Sequence, residues 1–182
     1  MPRYILTGTP GAGKTAILRH LELHGHIVVE EAATDVIALE NALGHAEPWR
    51  EPAFIDKIVT LQRRRQERTP AADGATIFCD RSPVCTLALS HYLGFAPSRL
   101  LVDEVDRVVG QGVYEVTVFF VRHQGFLRAT SARRMSFDNA LVFERLHEQM
   151  YRSLGFRLAE VPAGPLTDRV ACVQQTIERR RS

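Results

Sequence analysis

The chain has 182 residues, 45% hydrophobic, 24% charged and 8% aromatic. That composition belongs to a globular protein, excludes wholesale disorder, and suits one domain with a core of its own. Lys and Arg number 23 against 21 acids, a net charge of +2, without the basic stripe of a dedicated nucleic-acid binder. No stretch approaches the roughly 18 apolar residues of a membrane span. The first residues lead straight into an apolar strand, without a signal-peptide layout. Cys79, Cys85 and Cys172 are odd in number and widely spaced, the pattern of free thiols in a reducing compartment. The expectation is a cytoplasmic protein with no nucleic-acid partner and no membrane span.

In chain order, Tyr4-Ile5-Leu6 reads as a short buried strand, followed by a Gly-rich loop over 8–13. A helix over 14–24 has Ala16, Ile17, Leu21 and Leu18 on its inner side and stops at Gly25. Residues 26–29 read as a second strand ending at Glu30-Glu31, and 34–43 as a helix closed by Gly44. After a Pro-rich break over 47–52, Phe54, Ile58 and Leu61 set the face of a helix over 54–68. A turn over 70–74 leads into a strand over 75–79 that runs into Asp80-Arg81, and a helix over 84–93 follows.

Leu100-Leu101-Val102-Asp103-Glu104 superficially matches the hydrophobic run and acid pair of motor ATPases. Its Leu101, Val105, Val108 and Val109 fall at helical spacing, with Pro97 suited to the first turn and Gly110 ending the segment, so a helix is expected. A strand over 113–121, a polar arginine-bearing stretch over 122–139, a helix over 140–154, a strand over 156–161 and a helix over 167–180 complete the chain. Such alternation predicts an α/β fold: one domain over 1–182, a five-stranded parallel sheet between helical layers, and a lid at about 122–139.

Gly8-Thr9-Pro10-Gly11-Ala12-Gly13-Lys14-Thr15 is a complete G-x-x-x-x-G-K-[ST] phosphate-binding loop between a strand and a helix. The glycines let backbone N–H groups turn inward as a nest for phosphate oxygens. The helix that follows, from Lys14 through Ala16, adds its own N–H groups and the positive end of its dipole. Lys14 reaches the β- and γ-phosphates, and the Thr15 hydroxyl suits Mg²⁺. A bound nucleoside triphosphate is therefore expected. No guanine-reading Asn/Thr-Lys-x-Asp string is present, so ATP is the default.

On these residues the chain resembles the small P-loop NTPases related to nucleoside and nucleotide kinases. It is most similar to the AAA-labelled ATPase domain shared by NadR-type ribosylnicotinamide kinases and some trafficking factors. The resemblance spans nearly the whole chain. It rests on the phosphate loop, Glu30-Glu31, Asp80-Arg81, and the late run Tyr151-Arg152-Ser153-Leu154-Gly155-Phe156, Val161-Pro162 and Asp168-Arg169-Val170.

The resemblance implies a nucleotide-kinase-like three-layer fold and roles for particular residues. Asp80 would hold Mg²⁺ through water or accept the acceptor hydroxyl's proton, and Arg81 would bind the acceptor or the transferring phosphoryl group. Glu30 or Glu31 would act as general base, with nothing to choose between them. One or more of Arg122, Arg128, Arg133 and Arg134, in or beside the lid, would reach the phosphates on closure. Pro162 and Ala163 would touch the nucleotide base.

The reading is an Mg-ATP-dependent kinase for a small-molecule acceptor, nucleoside-like or otherwise carrying a hydroxyl or phosphate. The alternative is a nucleotide-gated regulatory module that binds a partner or lipid and hydrolyses slowly. An oligomeric motor fits less well, because no small helical domain follows the nucleotide domain. Arg63-Arg64-Arg65 reads as a solvated helix face, His20, His24 and His26 as surface histidines, and Cys79 and Cys85 as core thiols.

Overall fold

The computed structural model describes residues 1–69, 75–124 and 137–181. Its elements run β1 Arg3–Thr7, α1 Lys14–Leu23, β2 Ile27–Val29, α2 Ala32–Ala42, a 3-10 turn Pro48–Arg50, α3 Ala53–Arg68, β3 Ile77–Asp80, α4 Pro83–Tyr92, α5 Arg99–Gly110, β4 Thr117–Val121, α6 Phe137–Ser153, β5 Arg157–Val161 and α7 Leu166–Arg181. The strands form a five-stranded sheet in the order β2-β3-β1-β4-β5, and every pairing is parallel.

Parallel strands are covered on both faces, so their residues alternate between two apolar layers. Tyr4, Leu6, Phe78, Phe119, Val121 and Val161 pack against Ile17, Leu18 and Leu21 of α1 and Val170, Val173 and Ile177 of α7. Ile5, Ile77, Cys79 and Val118 face the other way, onto Val84 and Cys85 of α4, Val108 of α5 and Tyr151 of α6. A further layer forms where Ala32 and Val36 of α2 meet Phe54, Ile55, Ile58 and Val59 of α3 and Leu101 and Val105 of α5. The α/β layering with a five-stranded parallel sheet is as the sequence predicts.

The chain crosses from β2 and β3 on one side of β1 to β4 and β5 on the other, a switch that opens a crevice at the carboxyl ends of the strands. Leu6 is in register with Asp80, and Val121 with Val161. The phosphate loop, Glu30-Glu31, Asp80-Arg81, Arg122 and Pro162 thereby arrive at one edge.

Several sequence expectations are corrected. The Asp103-Glu104 segment lies inside α5 as expected, but Pro97 falls before the helix instead of in its first turn: Ser98 is the cap, its Oγ accepting from the Leu101 N–H at 3.1 Å. The strand expected from 113 begins at Thr117, because Gly112 turns the chain at positive φ after α5. Ala16 is exposed instead of facing inward, since Ile17, Leu18 and Leu21 already fill the inner stripe of α1. Arg65 is not a solvated residue: it donates to the backbone oxygens of Glu30 and Glu31 at 3.1 and 2.6 Å and pairs with Asp35, tying α3 to the start of α2.

Candidate functional site

The phosphate loop is shaped by contacts that only glycine allows at its two ends. Gly8 has φ +129°, and a Cβ there would lie 2.2 Å from the backbone oxygen of Val121. Gly13 has φ +86° and caps α1, with the Arg169 guanidinium 2.7 Å from where its Cβ would be. Arg169 is itself held by the backbone oxygens of Pro162 and Arg122, at 3.1 and 3.0 Å. The loop is therefore wedged against the ends of both β4 and β5.

Lys14 folds back over the loop and donates to the backbone oxygens of Gly8 and Thr9 at 3.3 and 3.1 Å. Burial pushes its pKa down to about 8, helped by repulsion from Arg81, while Asp80 and Glu31 pull the other way. A phosphate oxygen entering the loop would replace those carbonyls and restore the charge. Thr15 and Ala16 are exposed toward the same space.

A cavity of about 690 Å³ opens from this loop. At one end stand Pro10, Gly11, Gly13, Lys14, Thr15 and Ala16, and at the junction Glu31, Asp80 and Arg81. Beyond them it continues into a chamber walled by Ile37, Trp49, Phe54, Tyr92 and Phe143, with the polar pair Gln62 and Thr86 among them. The Thr86 hydroxyl donates to the Gln62 side-chain oxygen at 2.9 Å. This is the composition of a small-molecule site: mostly apolar walls with a few placed polar groups.

At the junction the Arg81 Nε donates to Glu31 at 2.5 Å, and Thr34 donates to the other Glu31 oxygen at 2.7 Å. Burial alone would raise the Glu31 carboxyl, but Arg81 and Lys14 override it and hold it below the usual carboxylate range. Glu31 is thus an anion poised between two cations. Glu30 is placed elsewhere: its carboxylate is exposed and pairs with Arg19 on α1, away from the cavity. Successive residues leave a strand end on opposite sides, and here that alternation decides which glutamate faces the site.

The remaining sequence candidates divide. Arg128, Arg133, Arg134 and most of the expected lid lie outside the described residues, as does the turn over 70–74. Arg122 is occupied by Glu144, Glu148 and Glu160 and lies over the Phe120 ring, so it braces β4, β5 and α6. Pro162 and Ala163 are exposed at the end of β5, in a loop that Gln124 pins by exchanging hydrogen bonds with the Gly164 backbone at 3.3 and 3.2 Å. His20 of α1 and His24, which caps its end, stack with ring centroids 4.4 Å apart, and Cys79 and Cys85 are buried.

The 44–70 region supplies Trp49, Phe54 and Gln62 to the chamber. Sequence reasoning missed the wall from α4 and α6, including Thr86, Tyr92 and Phe143, and the buried His147 beside Arg81. Their helical spacing is that of ordinary core residues, so no local signal separates them from the core.

A nucleotide-borne Mg²⁺ needs few protein ligands, because it keeps waters and takes oxygens from the phosphates. The Thr15 hydroxyl and the Asp80 carboxylate, both hard oxygen donors lining the cavity, fit that requirement. Among the described residues no cluster of three acidic, His or Cys side chains offers a metal site independent of the nucleotide. No described helix is long and apolar enough to cross a membrane.

Comparison with known proteins agrees with this fold. A search of curated proteins gives no match. Among solved structures, the chain is similar to a deoxyadenosine kinase from M. mycoides with products dCMP and dCDP bound. The TM-score is 0.64 at 12% identity, covering 97% of this chain and 98% of that one. A thymidylate kinase from Candida albicans is similar with a TM-score of 0.59 at 12% identity, covering 99% of this chain and 92% of that one. At such identity the likeness speaks for the fold, which is that of nucleoside and nucleotide kinases. A family model described as AAA domain matches residues 3–169. With the phosphate loop, the parallel sheet and this match in place, the chain belongs to the AAA domain family of P-loop proteins.

Proposed function

We propose that this protein is an ATP- and Mg²⁺-dependent kinase that moves a γ-phosphoryl group to a small acceptor, nucleoside-like in its flat apolar body and bearing a hydroxyl or phosphate. One observation carries the reading. A single cavity runs from the phosphate loop, past an anion flanked by two cations, into an aromatic-walled chamber. A regulatory nucleotide switch needs the first part only. A group-transfer enzyme needs both parts and a junction where donor and acceptor meet.

In this reading the backbone of residues 8–16 holds the triphosphate and Lys14 balances the charge on its terminal phosphates. Mg²⁺, when bound, neutralises the same phosphates, and Thr15 and Asp80 would hold it. Glu31 faces the chamber as a carboxylate and takes the acceptor hydroxyl's proton. Arg81, steadied by Glu31, presents its guanidinium to the acceptor or the transferring phosphoryl group. Pro162 and Ala163, exposed after β5 where Arg169 holds the Pro162 backbone oxygen, would touch the nucleotide base. Phe143 and Trp49 are available to cover a planar acceptor.

The structural neighbours favour a nucleoside or nucleoside monophosphate as acceptor. The test is ADP release from Mg-ATP across deoxynucleosides, nucleosides, nucleoside monophosphates, ribosylnicotinamide and simple alcohols, with Lys14→Ala as control. One acceptor raising turnover well above background, lost in the variant, establishes the kinase. Tight ADP binding with turnover that no acceptor stimulates would replace it with the regulatory module.

A further inference from the structure

Arg81 is the one described non-glycine residue with positive φ, at 74°. A left-handed backbone is sterically disfavoured for an L-residue, and such conformations persist where the surroundings over-determine them. Part of the restraint is local: the Arg81 N–H donates to the Leu6 oxygen at 3.0 Å, continuing the β1–β3 ladder by one residue. The side chain needs its own restraint, since a flexible guanidinium at a junction between two substrates would serve neither.

Two elements supply it. Glu31, after β2, accepts from Arg81 Nε. His147, on α6, stands on another side, its Nε2 3.4 Å from an Arg81 terminal nitrogen. His147 is completely buried. Its Nδ1 lies 2.8 Å from the Phe143 backbone oxygen, one helical turn earlier. A carbonyl only accepts, so Nδ1 carries the proton and Nε2 is left with its lone pair toward the guanidinium. The ring is fixed from the side by Phe143, edge-on at 4.2 Å between centroids. One turn further along the same face, the Tyr151 hydroxyl bonds Ser82 at 2.7 Å and the Cys85 sulfur at 3.0 Å. Consecutive turns of α6 thus grip the consecutive residues Arg81 and Ser82.

We propose that His147 is a positioning residue, a neutral acceptor that aims the Arg81 guanidinium into the cavity without cancelling its charge. A carboxylate in its place would pair Arg81 fully and remove the cation from the junction, whereas an apolar residue would leave one end of the fork unrestrained. Burial and the neighbouring Arg81 charge keep the imidazole neutral, with its pKa pushed down to about 3. The functional part of the inference rests on Arg81 serving the acceptor side of the proposed kinase. The positioning part does not.

The test is therefore spectroscopic and needs no acceptor. Long-range ¹H–¹⁵N correlation should show His147 as the neutral Nδ1–H tautomer throughout pH 5–8, with the Nε2 resonance shifting in Arg81→Lys. In His147→Phe, which keeps a ring but removes the acceptor, Arg81 side-chain N–H exchange should speed up at least tenfold. His147→Gln, which can present an oxygen near the Nε2 position, should restore it to within threefold. ADP affinity should stay within twofold in both variants.

An Nε2–H tautomer, titration near the ordinary histidine value, or Arg81 exchange unchanged in His147→Phe would each overturn the proposal. If the Phe variant does not fold, the wild-type tautomer and titration decide the matter alone. A failed kinase reading would appear as a silent acceptor panel with these signals intact, so the two failures are distinguishable.

Discussion

The two ends of the cavity are built on different principles. The nucleotide end is one run of consecutive residues, 8–16, that presents mainly backbone N–H groups and depends on glycine geometry at Gly8 and Gly13. The acceptor end gathers side chains from α2, the Pro48–Arg50 turn, α3, β3, α4 and α6, and its key groups are held by pairs that cross elements: Glu31 with Arg81, Arg81 with His147, Thr86 with Gln62. The first kind of site is local and can recur wherever a strand meets a helix through this loop. The second is assembled by tertiary structure, so its chemistry can change without touching the loop. Substitutions should accordingly separate nucleotide binding from group transfer.

The largest effect is expected from Glu31→Gln. Loss of the base proposed here should lower turnover by about 10²–10⁴-fold, while ADP affinity should hold within threefold because the loop is intact. Equal losses of affinity and turnover would merge the two ends into one unit. Next comes Lys14→Ala, which should cost about 10²–10³-fold in turnover and weaken ADP as well. Lys14 has a pKa near 8 without ligand, and phosphate should pull it back up. Between about pH 8 and 10, ADP binding should therefore take up a proton, seen as a dependence of the calorimetric enthalpy on the buffer's ionisation enthalpy. That dependence should vanish in Lys14→Ala.

The same division explains what could be read from the sequence. The phosphate loop is contiguous and each of its residue types has a steric or charge reason, so one window suffices. The strand ends were also legible, because apolar runs stop abruptly at Glu30 and at Asp80. Which of two adjacent glutamates faces the site was not. That depends on the β2–β3 register and on Arg65 and Arg81 reaching in from α3 and β3. Arg65 was read as solvated because helical periodicity reports which way a side chain points and not what lies there. Arg122 sits where an arginine could reach the phosphates, yet Glu144 and Glu148 from α6 occupy it, a pairing across more than 20 residues that no local pattern encodes.

A smaller effect sharpens the acceptor end through pH. The unfolded chain protonates His147 near the ordinary histidine value of 6.5, whereas the folded chain resists until about pH 3. The unfolded state then binds more protons across that interval, so stability falls as pH drops below 6.5. The loss approaches 1.4 kcal/mol per pH unit and sums to about 2 kcal/mol by pH 5. The charges facing the ring, Arg81 and Lys14, act in the same direction. Glu31, held low in the folded state, adds its own loss only below the ordinary carboxylate range. Urea denaturation at pH 7 and pH 5 should show the full difference in wild type and a flatter one in His147→Gln. Parallel slopes would mean that His147 is not the group excluded from protonation.

The smallest expected effect is the most direct test of the strand-end assignment. Glu30 and Glu31 are neighbours of the same type at the same sheet edge, and only their environments differ. Glu30 is about half exposed and pairs with Arg19, itself about half exposed, an arrangement that solvent screening leaves with little net stabilisation. Its contribution to the fold near the site is through its backbone oxygen, which accepts from Arg65 and survives any side-chain change. Glu30→Gln should therefore leave both ADP affinity and acceptor-dependent turnover within twofold of wild type, and the melting temperature within a degree or two. Measured beside Glu31→Gln in the same assay, it makes the contrast internal, since the two variants remove the same charge from adjacent positions. A large loss of turnover in Glu30→Gln would reverse the assignment of the base. Equal small losses in both would instead move the base to Asp80, the remaining carboxylate at the junction.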